Sequence, residues 1–280
     1  MVKIKDCLKM GTDILKSSSD MPKFEAEVLL AHILGKDRLY LTAFGDREIS
    51  SDVEKDFYEK CQRRALGEPS AYILGEKEFM SLSFEVNPSV LIPRPDTELV
   101  IEMVVQKYEG KEADILDLCT GSGAIACSLA YYLPHCTVTG TDISEAAIAT
   151  ARRNAKRNFV DKRVDFVISD VLQKTDFGKK FDIVISNPPY IETSVIATLE
   201  KDVKDFEPSL ALDGGDDGLI FYRKIVDNID IPLKKGGELY FEIGYNQAES
   251  VTEIMRDKFC DIQTFKDLAG HDRVVKGQLR

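Results

Sequence analysis

The chain has 280 residues, 44% of them hydrophobic and 30% charged, and a formal net charge of −11 at pH 7. This length predicts two domains, and the composition is that of a globular protein, which excludes a disordered chain. Acidic side chains outnumber basic ones in residues 1–85 and in the remainder, so the charge argues against direct, tight nucleic-acid binding.

Hydropathy and cysteine usage exclude further classes. No apolar stretch approaches the roughly 20 residues of a membrane helix, and the N-terminal residues lack the apolar core of a signal peptide. The six cysteines form no Cys-x-x-Cys pair, and the three histidines lie far apart. We therefore expect a cytoplasmic protein with no membrane contact, no disulfide framework and no metal site.

The first 70 residues predict a small helical domain. Apolar stripes indicate helices over residues 4–15 and over residues 24–34, the second ending at Gly35. A third helix is predicted after Ser50 and ends near Gly67. A scaffold or a substrate-recognition module fits these residues, because nothing in them indicates chemistry.

Residues 71–92 predict a linker. The segments 72–75, 79–86 and 90–92 suggest extended chain, with a turn at Asn87, so a β-hairpin between domains is expected. Pro93 and Pro95 then interrupt the chain, and Asp96 or Thr97 caps the next helix.

Residues 93–280 predict an α/β domain. Strands and helices alternate from residue 113, which indicates a doubly wound, mostly parallel sheet of seven strands. The last two strands are joined by a short turn and predict an antiparallel edge. The predicted strands cover residues 115–118, 138–142, 164–168, 181–186, 238–243, 261–265 and 273–276.

A glycine-rich loop joins the first strand of this domain to the first helix. Gly121 and Gly123 let the backbone pass close to a ligand, and Asp142, at the end of the second strand, can accept hydrogen bonds from both hydroxyls of a ribose. The loop predicts an adenosine-bearing cofactor. Taken alone it also satisfies a dinucleotide pattern, so a nicotinamide or flavin cofactor remains open at this point.

Asp117 and the turn that begins at Asn187 favour a methyltransferase. Asp117 precedes the glycines at a position suited to hold the methionine ammonium of S-adenosylmethionine, and Asp170, after the third strand, can reach an adenine amino group. A loop or capping role is the alternative for Asp117, and a capping role is the alternative for Asp170.

The segment Asn187, Pro188, Pro189 and Tyr190 directly follows the apolar run of residues 181–186. Two prolines end the strand in a rigid turn and leave carbonyls unpaired. The Asn187 side-chain oxygen and the Pro188 carbonyl could accept both N–H groups of a planar amine, with the Tyr190 ring as a flat lid. A loop that merely ends a strand is the simpler alternative.

The chain resembles the bacterial release-factor glutamine methyltransferases (PrmC, also called HemK) nearly end to end. The run from Arg94 to Glu98 is the most particular to this family, whereas the turn at Asn187 is shared with many amino-methyltransferases. The segments that carry the resemblance are residues 67–75, 91–98, 117–124, 187–190, 206–212, 214–219, 242–247 and 267–275.

The resemblance implies methylation, with S-adenosylmethionine, of the glutamine side chain in the Gly-Gly-Gln loop of peptide chain release factors. It departs from the family at Cys119, where many members have glycine, and at Val171, where an aromatic often lies beside the adenine. With the residues above, it implies cofactor contacts from Asp117, Cys119, Thr120, Gly121, Ser122, Gly123, Asp142, Asp170, Val171 and Asn187. It implies catalysis by Asn187, Pro188 and Tyr190, and substrate contacts from these three, Pro189 and Arg94.

Three alternatives remain open from the sequence. A nucleic-acid amino-methyltransferase acting on adenine N6 or guanine N2 could use the same turn on an extruded base, although a basic recognition domain would then be expected. A glutamine methyltransferase acting on a ribosomal protein is the second. A non-catalytic adenosine-nucleotide-binding partner of the translation apparatus is the third.

Overall fold

The computed structural model describes residues 2–171 and 175–280. The chain divides into two compact units, one formed by Met1–Gly75 with Glu200–Phe206 and the other by Glu76–Leu199 with Glu207–Arg280. The smaller unit has one apolar core, whereas the larger has two apolar clusters.

Short helices and two very short strands make up the N-terminal part. The two strands pair antiparallel, and Ser50 and Asp37 cap helices by accepting from the backbone N–H of Val53 and Tyr40. The apolar core of this part includes the fully buried side chain of Leu29. In chain order the elements are β1 (Val2–Lys3), α1 (Ile4–Leu15), α2 (Pro22–Leu34), α3 (Arg38–Ala43), β2 (Glu48–Ile49), α4 (Ser51–Ala65) and α5 (Ser70–Leu74).

A hairpin and alternating helices and strands follow. A short 3-10 turn over Pro95–Thr97 precedes the first long helix of this part, and a second covers Ser209–Ala211. The elements are β3 (Glu76–Phe79), β4 (Leu82–Glu85), α6 (Glu98–Tyr108), β5 (Asp114–Leu118), α7 (Ala124–Tyr132), β6 (Thr137–Asp142), α8 (Glu145–Arg157), β7 (Val164–Ile168), β8 (Phe181–Ser186), α9 (Thr193–Ile196), α10 (Lys201–Lys204), α11 (Ile220–Asn228), β9 (Leu233–Glu242), α12 (Ala248–Met255), β10 (Phe259–Lys266) and β11 (Asp272–Leu279).

The described strands of the larger unit form a seven-stranded sheet in the order β10-β11-β9-β8-β5-β6-β7, besides the separate β3–β4 hairpin. The pairings from β9 to β7 are parallel, whereas β11 runs antiparallel to both β9 and β10. Successive residues of a strand point to opposite faces. Ile115 accordingly joins one apolar cluster and Leu116 the other, so both faces of the sheet are covered.

The α/β fold class, the seven-stranded mostly parallel sheet with its antiparallel edge, the helical N-terminal region and the β3–β4 hairpin confirm the sequence prediction. Two local predictions are wrong. Ser70–Leu74 is a helix, entered from Pro69, where extended chain was expected, because short tertiary-supported helices override the preference of Tyr72 and Ile73 for strands. Residues 90–92 lie in a loop.

Candidate active site

One cavity of about 280 Å³ lies at the carboxyl ends of β5, β6, β7 and β8. This is where open α/β sheets bind ligands, and the volume is close to the lower end of small-molecule sites. Its lining comes wholly from the larger unit. The predicted site residues on its wall are Arg94, Cys119, Thr120, Gly121, Ser122, Asp142, Asp170, Val171, Asn187 and Pro189.

The loop after β5 has the backbone that close approach to a ligand requires. Gly121 and Gly123 have φ of 54° and 78°, a region that favours glycine. A Cβ added at Gly123 would lie 3.0 Å from the Ala151 Cβ, so this glycine also lets α7 pack against α8. Cys119 has φ of 60°, so this chain places a side chain where the resemblance leads one to expect glycine.

Asp142 presents a carboxylate to the cavity with both oxygens already oriented. Its Oδ2 accepts from the Gly121 N–H and its Oδ1 from the Ser144 N–H, each at 2.9 Å. Burial raises the pKa of this carboxyl, and the backbone donors oppose the shift. A carboxylate oxygen accepts more than one hydrogen bond, so both retain capacity for the two hydroxyls of a ribose.

Asp117 lies beneath the loop rather than on the cavity wall. It is fully buried, and its Oδ2 accepts from the Thr120 hydroxyl at 2.5 Å and from the Ala126 N–H at 3.2 Å. Its Oδ1 has no hydrogen-bond partner among the residues that the structure describes. Burial raises the pKa of Asp117 to about 7. In this geometry the carboxyl fixes the loop to the start of α7.

The turn after β8 places Asn187 on the cavity wall and Pro188 and Tyr190 away from the lining residues. The Tyr190 carbonyl accepts from the Gln247 side-chain amide at 3.0 Å, and a Cβ on Gly218 would overlap that carbonyl. Burial, followed by the charge of Glu242, raises the pKa of Tyr190 to about 12. The turn is therefore held from behind by close backbone packing.

Arg94 reaches the cavity wall but its guanidinium is engaged. It forms an ion pair with the buried carboxylate of Glu207, whose Oε2 also accepts from the Ile92 N–H at 3.2 Å. Arg94 thereby joins two segments of the cavity rim. A substrate contact from its remaining N–H groups stays a prediction.

Thr97 and Glu242 are site residues that the sequence interpretation did not single out. The Asn187 Nδ2 donates to the Thr97 hydroxyl at 3.4 Å. Burial raises the pKa of Glu242 to about 7, opposed by hydrogen bonds from Thr97 and Asn187 and by the charge of Arg273. Both residues lie in segments that carry the family resemblance, residues 91–98 and 242–247, and Glu242 also ends β9, next to β8 in the sheet.

The described residues contain neither a candidate metal site nor a helix that could span a membrane. Between residues 2 and 171 and between 175 and 280, no cluster of three or more potential ligand side chains could hold a metal ion. Over the same ranges, no helix has the length and apolarity needed to cross a membrane.

Two family descriptions match the sequence: "PrmC N-terminal domain" over residues 6–75 and "Methyltransferase small domain" over residues 95–205. The release factor glutamine methyltransferase of Clostridium acetobutylicum is 41% identical over 278 residues, which cover 98% of each chain. The protein of that name from Vibrio cholerae is 43% identical over 281 residues, covering 100% of this chain and 98% of its own.

The chain belongs to the release factor glutamine methyltransferase family. Its fold also resembles a solved methyltransferase from Pyrococcus furiosus, with a TM-score of 0.51 and 19% identity over 82% of this chain and 98% of that one. At this identity the likeness concerns the fold alone.

The cavity brings together some of the predicted site residues and leaves others out. Asp142 and Asn187 lie on the same wall, with the glycine loop between them in the sheet order. Four predicted site residues do not line the cavity: Asp117, Gly123, Pro188 and Tyr190. Asp117 and Gly123 instead support the loop through hydrogen bonds and close packing. Pro188 and Tyr190 belong to the turn after β8, where the Tyr190 carbonyl accepts from Gln247.

Proposed function

We propose that this protein transfers the methyl group of S-adenosylmethionine to the side-chain nitrogen of the glutamine in the Gly-Gly-Gln loop of peptide chain release factors. One observation carries the proposal: Asp142, suited to a ribose, and Asn187, suited to a planar amide, line the same cavity. The names of the two bacterial relatives supply the acceptor.

The residues present fit this cofactor. The left-handed backbone at Gly121 has no described residue beyond its chain neighbours within 4 Å of an added Cβ. The Asp142 carboxylate can accept from both ribose hydroxyls. Asp170 and Val171 lie on the wall where the adenine is expected. Bound S-adenosylmethionine supplies an electrophilic methyl group.

The chain's own contribution is orientation of a poor nucleophile. An amide nitrogen is unreactive because its lone pair is delocalised into the carbonyl. In our proposal the Asn187 Oδ1 accepts one substrate N–H from the cavity wall, and the carbonyl of Pro188, which is next to Asn187 in the turn but is not a lining residue, accepts the other. Together they direct the nitrogen lone pair at the methyl group and stabilise the positive charge that develops on nitrogen. Holding the reacting atoms about 3–3.5 Å apart is the main catalytic effect.

Further contacts with the substrate complete the proposal. Residues 1–70 form a recognition domain for the body of the release factor, residues 71–92 a linker and residues 93–280 the catalytic domain. The net charge of −11 supports a protein acceptor over tight nucleic-acid binding. Arg94, Pro189 and Tyr190 are the further substrate contacts.

The test uses methyl-labelled S-adenosylmethionine with three acceptors: a release factor, the same factor with its Gly-Gly-Gln glutamine changed to alanine, and bulk RNA. We expect label only in the unaltered factor, with mass spectrometry locating it on that glutamine. Label in RNA, in a ribosomal protein of a cell extract but not in the factor, or in none of them, would each contradict the proposal.

A further inference from the structure

The carboxyl group of Glu242 is buried beside the side chain of Asn187. Glu242 is 2% exposed and is not a lining residue of the cavity. Ser186 pairs with Phe241 in the parallel β8–β9 ladder, so Asn187 and Glu242 follow at neighbouring positions of the two strands. The Asn187 Nδ2 donates to the Thr97 Oγ1 at 3.4 Å, and Thr97 and Asn187 both oppose the rise in the pKa of the Glu242 carboxyl. Glu242 thus lies beside the proposed catalytic amide on the neighbouring strand and does not line the cavity.

A terminal amide has two ends of nearly equal shape and opposite hydrogen-bonding character. The NH₂ end only donates, the oxygen only accepts, and a carboxylate only accepts. The NH₂ of Asn187 is the end that donates to Thr97, and it is also the end that the ionised carboxylate of Glu242 favours, since a carboxylate would repel the amide oxygen. This leaves the Asn187 oxygen as the end that is free for the cavity.

We propose that Glu242, assisted by Thr97, is a positioning residue that turns the Asn187 amide so that its oxygen meets the substrate N–H. The inference rests on the proposed function, because the orientation matters only for a substrate that donates. Without the carboxylate, the amide could present NH₂ to the cavity, where it would repel the amide hydrogens of the substrate.

Neutralising Arg273 is the competing structural role for Glu242. The Arg273 guanidinium, however, already lies 3.1 Å from the Asp96 carboxylate and 3.2 Å from that of Asp267. Among the described residues, neither the Oε2 of Glu242 nor the Nε of Arg273 has a hydrogen-bond partner, so these two atoms do not pair. Burying a carboxyl group with an unsatisfied oxygen costs stability, so stability alone does not account for its presence.

The decisive variants separate accepting ability from charge. Glu242→Leu removes both, whereas Glu242→Gln keeps an acceptor oxygen for Asn187 and can place its NH₂ where Oε2 lies. We expect Glu242→Leu to lower kcat by about 10–100-fold, as loss of a supporting hydrogen bond does at other sites, with the Kd of S-adenosylmethionine nearly unchanged. Glu242→Gln should restore most of that loss.

Glu238→Leu is the matched control. Glu238 is a second buried glutamate on β9, and its carboxylate pairs with Lys107 and Lys276 instead. Its loss is expected to lower stability but to leave kcat per folded molecule unchanged. A comparable loss of kcat in this variant would show that the Glu242 effect is only structural.

A double variant tests whether Glu242 acts through Asn187. If it does, Glu242→Leu combined with Asn187→Ala should be no slower than Asn187→Ala alone. Independent, multiplicative losses, or a Glu242→Leu enzyme with normal kcat, would overturn the proposal.

A spectroscopic readout keeps the inference separate from the proposed function. The side-chain NH₂ signal of Asn187, assigned by its absence in Asn187→Ala, should exchange slowly with solvent in the unaltered protein and faster in Glu242→Leu. Slow exchange with no methylation of any acceptor would contradict the proposed function only. Fast exchange in the unaltered protein would contradict the positioning role.

Discussion

At the scale of single residues, Asn187 and Asp117 are polar groups whose surroundings decide what they can do. Asn187 lies on the cavity wall, with its NH₂ directed at Thr97. Asp117 is buried. Its Oδ2 accepts two hydrogen bonds, whereas its Oδ1 accepts none from the described residues. The first is placed to contact a substrate, whereas the second stabilises the loop.

Asp117 should make stability depend on pH. Because its pKa is raised to about 7, the folded state holds a proton that the unfolded state releases near pH 4, so the free energy of unfolding falls as the pH rises between these values. Asp117→Asn lacks this titration and can keep both hydrogen bonds on one oxygen. We expect its stability relative to the unaltered protein to increase by up to about 4 kcal/mol from pH 4 to 8.

Denaturant unfolding of both proteins at pH 4, 6 and 8 measures this difference directly. Parallel stability curves would show that Asp117 is not held in a raised-pKa environment. If Asp117 instead contacts the methionine ammonium, S-adenosylmethionine should raise the Tm of the unaltered protein more than that of Asp117→Asn.

Tyr190 contributes its ring more than its hydroxyl. The residue is half-buried, its backbone carbonyl is held by Gln247, and an aromatic face can cover a flat amide. Tyr190→Phe keeps the ring and should stay within about fivefold of normal kcat/KM, while Tyr190→Ala should lose roughly tenfold or more. Equal losses in steady-state assays of the two variants would assign the role to the hydroxyl instead.

At the scale of elements, the turn from β5 into α7 depends on a close approach to α8. Gly123 has a left-handed φ, and an added Cβ would lie 3.0 Å from the Ala151 Cβ and 3.2 Å from the Phe166 ring. Side chains at such positions are both strained and overpacked. Gly123 is therefore needed for packing as well as for the turn.

Gly123→Ala should lower the free energy of unfolding by about 2–4 kcal/mol, combining left-handed strain with overpacking. Gly121→Ala is the control, since Gly121 also has a positive φ but nothing lies within 4 Å of an added Cβ. Its cost should be only about 1 kcal/mol. Thermal or urea unfolding checks both, and equal costs would mean that the contact with α8 does not matter.

Elements with strong local patterns could be predicted, and those that depend on tertiary support could not. Apolar runs such as Phe181–Ser186 predicted their strands because the sequence is buried on both faces. α3 and α5 span six and five residues, too few to show a helical period. Glu242 was not predicted as a site residue because its position beside Asn187 depends on the pairing of β8 with β9, which are distant in sequence.

At the scale of the whole molecule, the cavity lies wholly within the larger unit, and the helical N-terminal region is a separate compact unit. The family model "PrmC N-terminal domain" matches residues 6–75, which lie in this region. A unit without cavity residues can still add binding energy from parts of the substrate that do not react. This motivates the proposed recognition role of residues 1–70.

A whole release factor should therefore be a better substrate than a short peptide with the same Gly-Gly-Gln loop. We expect the peptide to lose at least ~10²-fold in kcat/KM, because it cannot contact the N-terminal unit. Steady-state methylation of both acceptors by the full-length protein measures the ratio. Equal kcat/KM values would remove the argument for recognition outside the cavity.

The central claim is that Asn187 holds an amide nitrogen in front of the methyl donor. Single-turnover methylation of a release factor by Asn187→Ala, alongside a calorimetric titration with S-adenosylmethionine, tests it most directly. We predict a rate lower by at least ~10²-fold with a much smaller change in cofactor Kd. An unchanged rate, or a loss explained wholly by weaker cofactor binding, would contradict the claim.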